Sequence, residues 1–465
     1  MESLTASQIF DSRGNPTVRV VLRLKDRQGV AGQFEAQVPS GASKGSYEAH
    51  ELRDGGEKYG GQGVSKAVNF VNKIIGPALM DKVNIGEIRL NEQSKIDDFL
   101  CQLDGTEKKE KMGANALLAV SMVCTRAGAA IQGKELFEHL ALLSGMPTDN
   151  FILPVPFMNQ INGGVHSGNT LAFQEFMIAP VGAQTFTHAM QICTEIYHTL
   201  KSIIIERSGK AATGLGDEGG FAPPLKSADE ALHLLELATL KAGYSVYRNQ
   251  SGQQHGDVAF GIDPASSEFF DKKRKLYDLG FKFDPHDKAK SDFCLSSSEL
   301  GEVYESICKK YSVILLEDPF AEDDFDSWKN FTREHSCGLE IVGDDLLATN
   351  PKRIRIGIEQ ALCNSLLLKI NQIGTITEAI ESAQLARNNG WRVFVSHRSG
   401  ETVDDFIADL AVGLRTGHLK CGAPARGERL AKYNRLLAIE SILQSRQEKI
   451  KYSYAGYNTQ AAEKK

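Results

Sequence analysis

The eight cysteines, Cys101, Cys124, Cys193, Cys294, Cys308, Cys337, Cys363 and Cys421, include no C-x-x-C pair and no grouping with histidine at zinc-ligand spacing. Several lie in apolar runs, Cys124 in AVSMVC and Cys193 in MQIC, the setting of buried thiols in a reducing compartment. A basic start followed by an apolar h-region is missing, as is an apolar run of membrane-spanning length, so a soluble, cytoplasmic protein is expected. No Walker motif occurs. The formal net charge of -6 argues against whole-protein attraction to nucleic acid, while leaving room for a local positive pocket for a small anion.

At 465 residues, 42% of them hydrophobic, the chain is too long for one ordinary domain and can bury a large core, so two domains are expected. The first, residues 1–143, opens with the extended-looking PTVRVVLRL and QFEAQVPS and turns helical through KAVNFVNKIIGPAL and ANALLAVSMVCTRAGAAI, which reads as a small α+β domain. SGMPTDN (144–150) interrupts the pattern, and a second domain follows over 144–443, with a polar tail over 444–465. Helical spacing predicts one helix over about 184–206, and an S-x-x-E capping box predicts another from Ser227 to near Gly243.

The informative regularity is how the apolar runs of the second domain end. VAFGID stops at Asp263, VILLED reaches Glu317, EIVGDD reaches Asp344, SLLLK stops at Lys369 and WRVFVSH at His397. From Glu317 onward the steps are 27, 25 and 28 residues, each the length of one strand, one helix and two loops. That rhythm predicts an α/β barrel of the (β/α)8 type, in which the C-terminal ends of parallel strands share one mouth. Any single charged residue after an apolar run is ordinarily a solvated strand end; five in succession around one rim converge.

Three carboxylates crowded at such a mouth raise each other's pKa unless a cation neutralises them, and an all-oxygen donor set favours Mg2+. Burial and a metal's field both favour a neutral Lys369, which is then a base; a lysine that balances the acidic cluster is the alternative, and spacing leaves both open. SHRSGE (396–401) places Arg398 and Ser399 where a phosphate could be gripped, and Lys420 ends the next strand. GLGDEGGFAPP (214–224) carries Glu218 in a Gly-rich loop, and INGGVHSGN (161–169) and VPSGASKGSYE (38–48) are two further Gly-rich loops able to act as lids.

DSRGNPTV (11–18), VPSGAS (38–43), QEFMIAPVGA (174–183), GDEGGFAPP (216–224), EDPFAEDD (317–324), GDDLLATNPKRI (343–354), LLLKINQIGT (366–375), SHRSGET (396–402) and GAPARGERLAKYN (422–434) together resemble the enolase family over residues 5–443. The resemblance implies reversible dehydration of 2-phospho-D-glycerate to phosphoenolpyruvate in glycolysis and gluconeogenesis, with two Mg2+ per site. It implies that Asp263, Glu317 and Asp344 hold one Mg2+ and Ser43 a second. By the same carry-over Lys369 takes the C2 proton, Glu218 is the general acid and Glu175 assists it. His166, Arg398, Ser399 and Lys420 are implied as substrate contacts, together with His397 of the same loop. Two other classes are weighed against this. A racemase or other lyase of the superfamily would lack the phosphate contacts, and a non-catalytic binding protein would show damage at the base or metal positions.

The resemblance also implies a homodimer tied by ion pairs, yet those positions read Ser7, Arg19 and Ala438 here, with Glu428 alone retaining an expected charge. Lys44 follows the metal-loop serine where Thr is common, and Pro264 follows Asp263. The YAGYN segment (454–458) resembles a docked ending, and Lys464 and Lys465 resemble terminal lysines that bind plasminogen, although a frayed, solvated end is the plainer reading.

Overall fold

In a computed structural model of the chain, residues 1–25, 32–41, 45–250, 253–283 and 293–457 are described. Ser3–Phe10, Pro16–Leu24 and Gly32–Gln37 form an antiparallel sheet. Along Pro16–Leu24, Val18, Val20 and Leu22 alternate inward, as the two-residue period of a strand requires. Helix Ala114–Ile131 packs on this sheet. Its 18 residues have a mean hydropathy of 1.4, long and apolar enough by composition to cross a membrane, contrary to the expectation that no such stretch exists. Tertiary packing explains its apolarity: 83% of it is buried, lying between the sheet and neighbouring helices.

The second region is a closed eight-stranded barrel: Val155–Asn162, Glu175–Ala179, Ala259–Asp263, Val313–Glu317, Glu340–Gly343, Ser365–Leu368, Arg392–Ser396 and His418–Lys420. Six strands keep the expected parallel rhythm with the first, but the second runs antiparallel to both its neighbours. The reason is the short connection after Asn162, which carries only the turn Gly164–His166; without a crossover helix the chain returns alongside itself. Two helices, Phe186–Ser208 and Ala228–Lys241, then follow the second strand. The reversal puts Glu175, the first residue of its strand, beside Asp263, the last of the next. At Ser227 the cap is only half of the expected box. The hydroxyl accepts from the Glu230 amide at 3.2 Å, but the Glu230 carboxylate reaches past Ser227 to the Lys226 amide at 2.8 Å.

The two regions are locked over the barrel mouth. Arg126 donates to both carboxylate oxygens of Asp404 at 2.7 and 2.9 Å, and Lys109 pairs with Glu378 at 3.0 Å. Ser40 and Gly400 exchange backbone hydrogen bonds of 2.7 and 2.9 Å. A Cβ on Gly400 would fall 2.5 Å from the Ser40 hydroxyl and 2.7 Å from Asp11, so the close approach admits glycine only. The chain after Ser445 returns as Lys451–Tyr454, parallel to Asn150–Leu153, and Tyr454 and Tyr457 donate to Pro180 and Gly256 carbonyls at 3.0 and 2.7 Å. Lys464 and Lys465 lie outside the described residues.

Candidate active site

Strand periodicity builds the mouth. Within the fifth barrel strand Glu340, Val342 and Asp344 alternate along one inward face from base to mouth, as do Leu315 and Glu317, Leu367 and Lys369, and His418 and Lys420. The middle tier, with Phe157, Leu315, Val342, Leu367 and Phe394, is dry packed core, and the tier above it is ionic. Asp263, Glu317 and Lys420 end their strands, while Asp344, Lys369 and His397 stand one residue beyond.

Lys420 is the hub. Its Nζ lies 2.9 Å from Glu175, 2.9 Å from Asp263 and 2.7 Å from Glu317, all buried. Burial pulls its pKa down, but Asp263, Glu175, Glu317 and Glu218 together outweigh that and hold it well above the usual lysine range. One ammonium does not satisfy three carboxylates. Glu317 Oε1 and Glu175 Oε2 are buried with no hydrogen-bond partner among the described residues. Burial and the Asp263 charge push Glu317 well above the carboxylate range.

Lys369 pairs with Asp344, whose other oxygen accepts from Gln372 at 2.8 Å. Burial opposes the Lys369 charge, yet Asp344 more than compensates and raises its pKa. Lys369 thus stands against Asp344, the ion-pair placement that spacing allowed. Asp263 spends Oδ1 on the Ala265 amide at 2.8 Å, a turn compatible with Pro264 between them, and leaves Oδ2 facing Lys420.

Opposite Lys369 lies a second carboxylate group. Ligand atoms of His166, Glu175 and Glu218 lie within 4.8 Å of one another. Glu218 Oε1 is 3.4 Å from His397 Nε2 and 3.6 Å from His166 Nδ1, and its Oε2 accepts from Asn159 at 3.2 Å. Arg429 donates to His397 Nδ1 at 2.6 Å, so the neutral ring carries its proton on Nε2, aimed at Glu218. Burial sets that neutral state, pushing His397 down to about 3. Burial also drives Glu175 well up, with the Glu218 charge adding to it.

Arg398 extends over the same mouth, its guanidinium 3.1 Å from Glu48, and Ser399 adjoins it in the cavity lining. Ser43 and Lys44 lie outside the described residues. The sequence reading passed over Asp318, Asp345, Glu48 and Gln372. Asp318, held at a φ of 41°, accepts the Asp344 and Asp345 amides at 2.8 and 2.9 Å and so fixes where Asp344 points. The acidic doublets in VILLED and EIVGDD were its signal: Asp318 is buried beside Glu317, and Asp345 is half-buried beside Asp344.

The donor set fits a hard divalent cation. The oxygens at the centre are carboxylate oxygens: Asp263 and Glu317 face the Lys420 ammonium, Asp344 faces Lys369, and Glu317 keeps an unpaired buried oxygen. A barrel with a reversed second strand, a carboxylate and lysine mouth, and a smaller α+β region over it defines the enolase-superfamily class of lyase. Residues 1–140 match the family model described as Enolase, N-terminal domain, and residues 150–462 match Enolase, C-terminal TIM barrel domain. The chain belongs to the enolase family.

Proposed function

We propose that the chain catalyses the reversible Mg2+-dependent dehydration of 2-phospho-D-glycerate to phosphoenolpyruvate, acting in glycolysis and gluconeogenesis as a cytoplasmic homodimer. The observation that carries this reading is the placement of acid and base. Glu218, the proposed general acid, groups with Glu175 of the second barrel strand, and Lys369 stands just past the sixth, half-way round an eight-stranded ring, so groups that add and remove protons face a substrate from opposite sides. Lys369, as the amine, takes the C2 proton; the electron pair moves into the C2–C3 bond; the C3 hydroxyl departs as water with a proton delivered by Glu218, which Glu175 assists. Asp263, Glu317 and Asp344 would hold one Mg2+, and Ser43 is proposed for a second. When bound, these ions supply positive charge against the carboxylate that becomes more negative as C2 is deprotonated. Arg398, Ser399, His166, His397 and Lys420 orient the phosphate and carboxylate ends. Arg19 pairs with Glu35, and Glu428 with Arg426 at 2.7 Å, within the same chain.

The test is production of phosphoenolpyruvate from 2-phosphoglycerate with and without Mg2+, comparing the wild type with Lys369→Ala and Glu218→Gln. Loss of a positioned acid or base lowers turnover by about 10²–10⁴-fold. A wild-type chain that forms no phosphoenolpyruvate, or a Lys369→Ala chain that matches it, overturns the proposal.

A further inference from the structure

Arg429, in the first turn of helix Gly427–Ser445, is fully buried, and its contact with the Glu428 carboxylate is long, 3.6 Å from Nε. A buried charge is costly unless its hydrogen bonds are made, and a guanidinium offers them in a fixed planar fork. The four terminal N–H groups of Arg429 meet four acceptors. One nitrogen donates to His397 Nδ1 and to the Arg398 carbonyl, both at 2.6 Å, and the other to the Ser399 carbonyl at 2.5 Å and the Asp217 carbonyl at 3.0 Å. Three of these acceptors belong to the loop that carries Arg398 and Ser399, and the fourth immediately precedes Glu218. Packing leaves little slack: the Glu218 carbonyl accepts from the Ala423 amide at 2.9 Å, and a Cβ on Gly422 would fall 2.6 Å from that carbonyl and 3.0 Å from Arg429 Cδ. From these contacts we infer that Arg429 is a positioning residue that pins the loop of the acid Glu218 to the loop of the phosphate grip and fixes the tautomer of His397 between them, an inference that rests on the dehydration proposed for this site.

The tautomer follows from the donor. A guanidinium has no lone pair to offer, so His397 Nδ1 is the acceptor and the neutral ring keeps its hydrogen on Nε2, 3.4 Å from Glu218 Oε1. With the hydrogen on Nδ1 instead, two donors would meet at 2.6 Å and the bare Nε2 would face a carboxylate. Holding the two loops together sets where the acid stands relative to the phosphate, and misplacing a catalytic group by about 1 Å costs about 10²-fold in rate. The experiment labels the histidine rings of the full chain isotopically for nitrogen NMR, assigns His397 from the resonances that vanish in His397→Gln, and follows phosphoenolpyruvate formation in wild type, Arg429→Met and Arg429→Lys. In wild type the hydrogen is expected on Nε2, with Nδ1 bare and hydrogen-bonded. In Arg429→Met the Nδ1 resonance moves to that of an unbonded nitrogen, kcat falls about tenfold or more as the acid drifts, and KM for 2-phosphoglycerate rises about threefold as the grip loosens. Arg429→Lys keeps the charge in case Arg429→Met does not fold, but one ammonium does not span four acceptors on two loops, so kcat falls and KM rises there too. A residue that only supported the fold would lower the active fraction, and with it the apparent kcat, while leaving KM and the ring nitrogen unchanged. A hydrogen on Nδ1 in wild type, or wild-type kcat and KM in Arg429→Lys, overturns the assignment and leaves the dehydration standing; a wild type that forms no phosphoenolpyruvate overturns both.

Discussion

The barrel buries charge at both ends and treats the two ends differently. At the base, Glu340 accepts from Arg392 at 2.9 Å and from His418 at 2.7 Å, one partner for each oxygen. The other His418 nitrogen faces the Thr416 carbonyl at 2.9 Å. The ring face stacks on Phe394 with centroids 4.5 Å apart. Burial would raise Glu340, but His418 and Arg392 overcome it and bring the carboxyl down to about 2. At the mouth, the same type of residue, equally buried, goes the other way: Glu175 and Glu317 rise and each keeps an unpaired oxygen. A satisfied network holds a fold together; an unsatisfied one is poised for a ligand.

Breaking the base gives the largest expected change in stability. Glu340→Ala leaves the His418 ring and the Arg392 guanidinium without their shared carboxylate, and removal of one partner of a buried pair costs about 3–5 kcal/mol, read from urea unfolding; a loss under 1 kcal/mol contradicts the description. Acid tests the same pair less drastically. The folded Glu340 carboxyl lies at about 2, below its unfolded value, so the stability it confers is fully present above the unfolded pKa and drains away as pH falls toward 2. The difference of roughly two pKa units corresponds to about 3 kcal/mol. Between pH 5 and pH 2 the wild type should lose about that much more than Glu340→Ala, and parallel pH profiles for the two would refute the low pKa.

Asp263, Glu317, Asp344, Lys369 and His397 were legible as a mouth because each ends an apolar run that a short window captures, and from Glu317 onward the strand ends repeat every 25 to 28 residues. The base was not, although Glu340 opens the same EIVGDD run, because its partners Arg392 and His418 lie 52 and 78 residues away and no local pattern pairs them. The reversed second strand escaped for a related reason: strand direction is decided by whether the connection can carry a crossover, and INGGVHSGN read as a lid rather than as a return. The protonation of Lys369 depends on which charges surround it in space, and spacing alone left it open.

The smallest effect sharpens the contrast from the other side. If the mouth is short of positive charge, Mg2+ binds the folded chain and not the unfolded one, and at about one hundred times its Kd it adds about 2.7 kcal/mol of stability. Calorimetric melting with and without Mg2+ should show the rise in wild type and lose it in Glu317→Gln, which removes the carboxylate that carries an unpaired oxygen. In Glu340→Ala the starting stability is lower but the increment should persist, because the two clusters share no side chain and are separated by the apolar tier of Phe157, Leu315, Val342, Leu367 and Phe394. An increment unchanged by Glu317→Gln would place the ion elsewhere. One abolished by Glu340→Ala would mean that base and mouth act as a single network, and the division between a satisfied end and a poised end would fail.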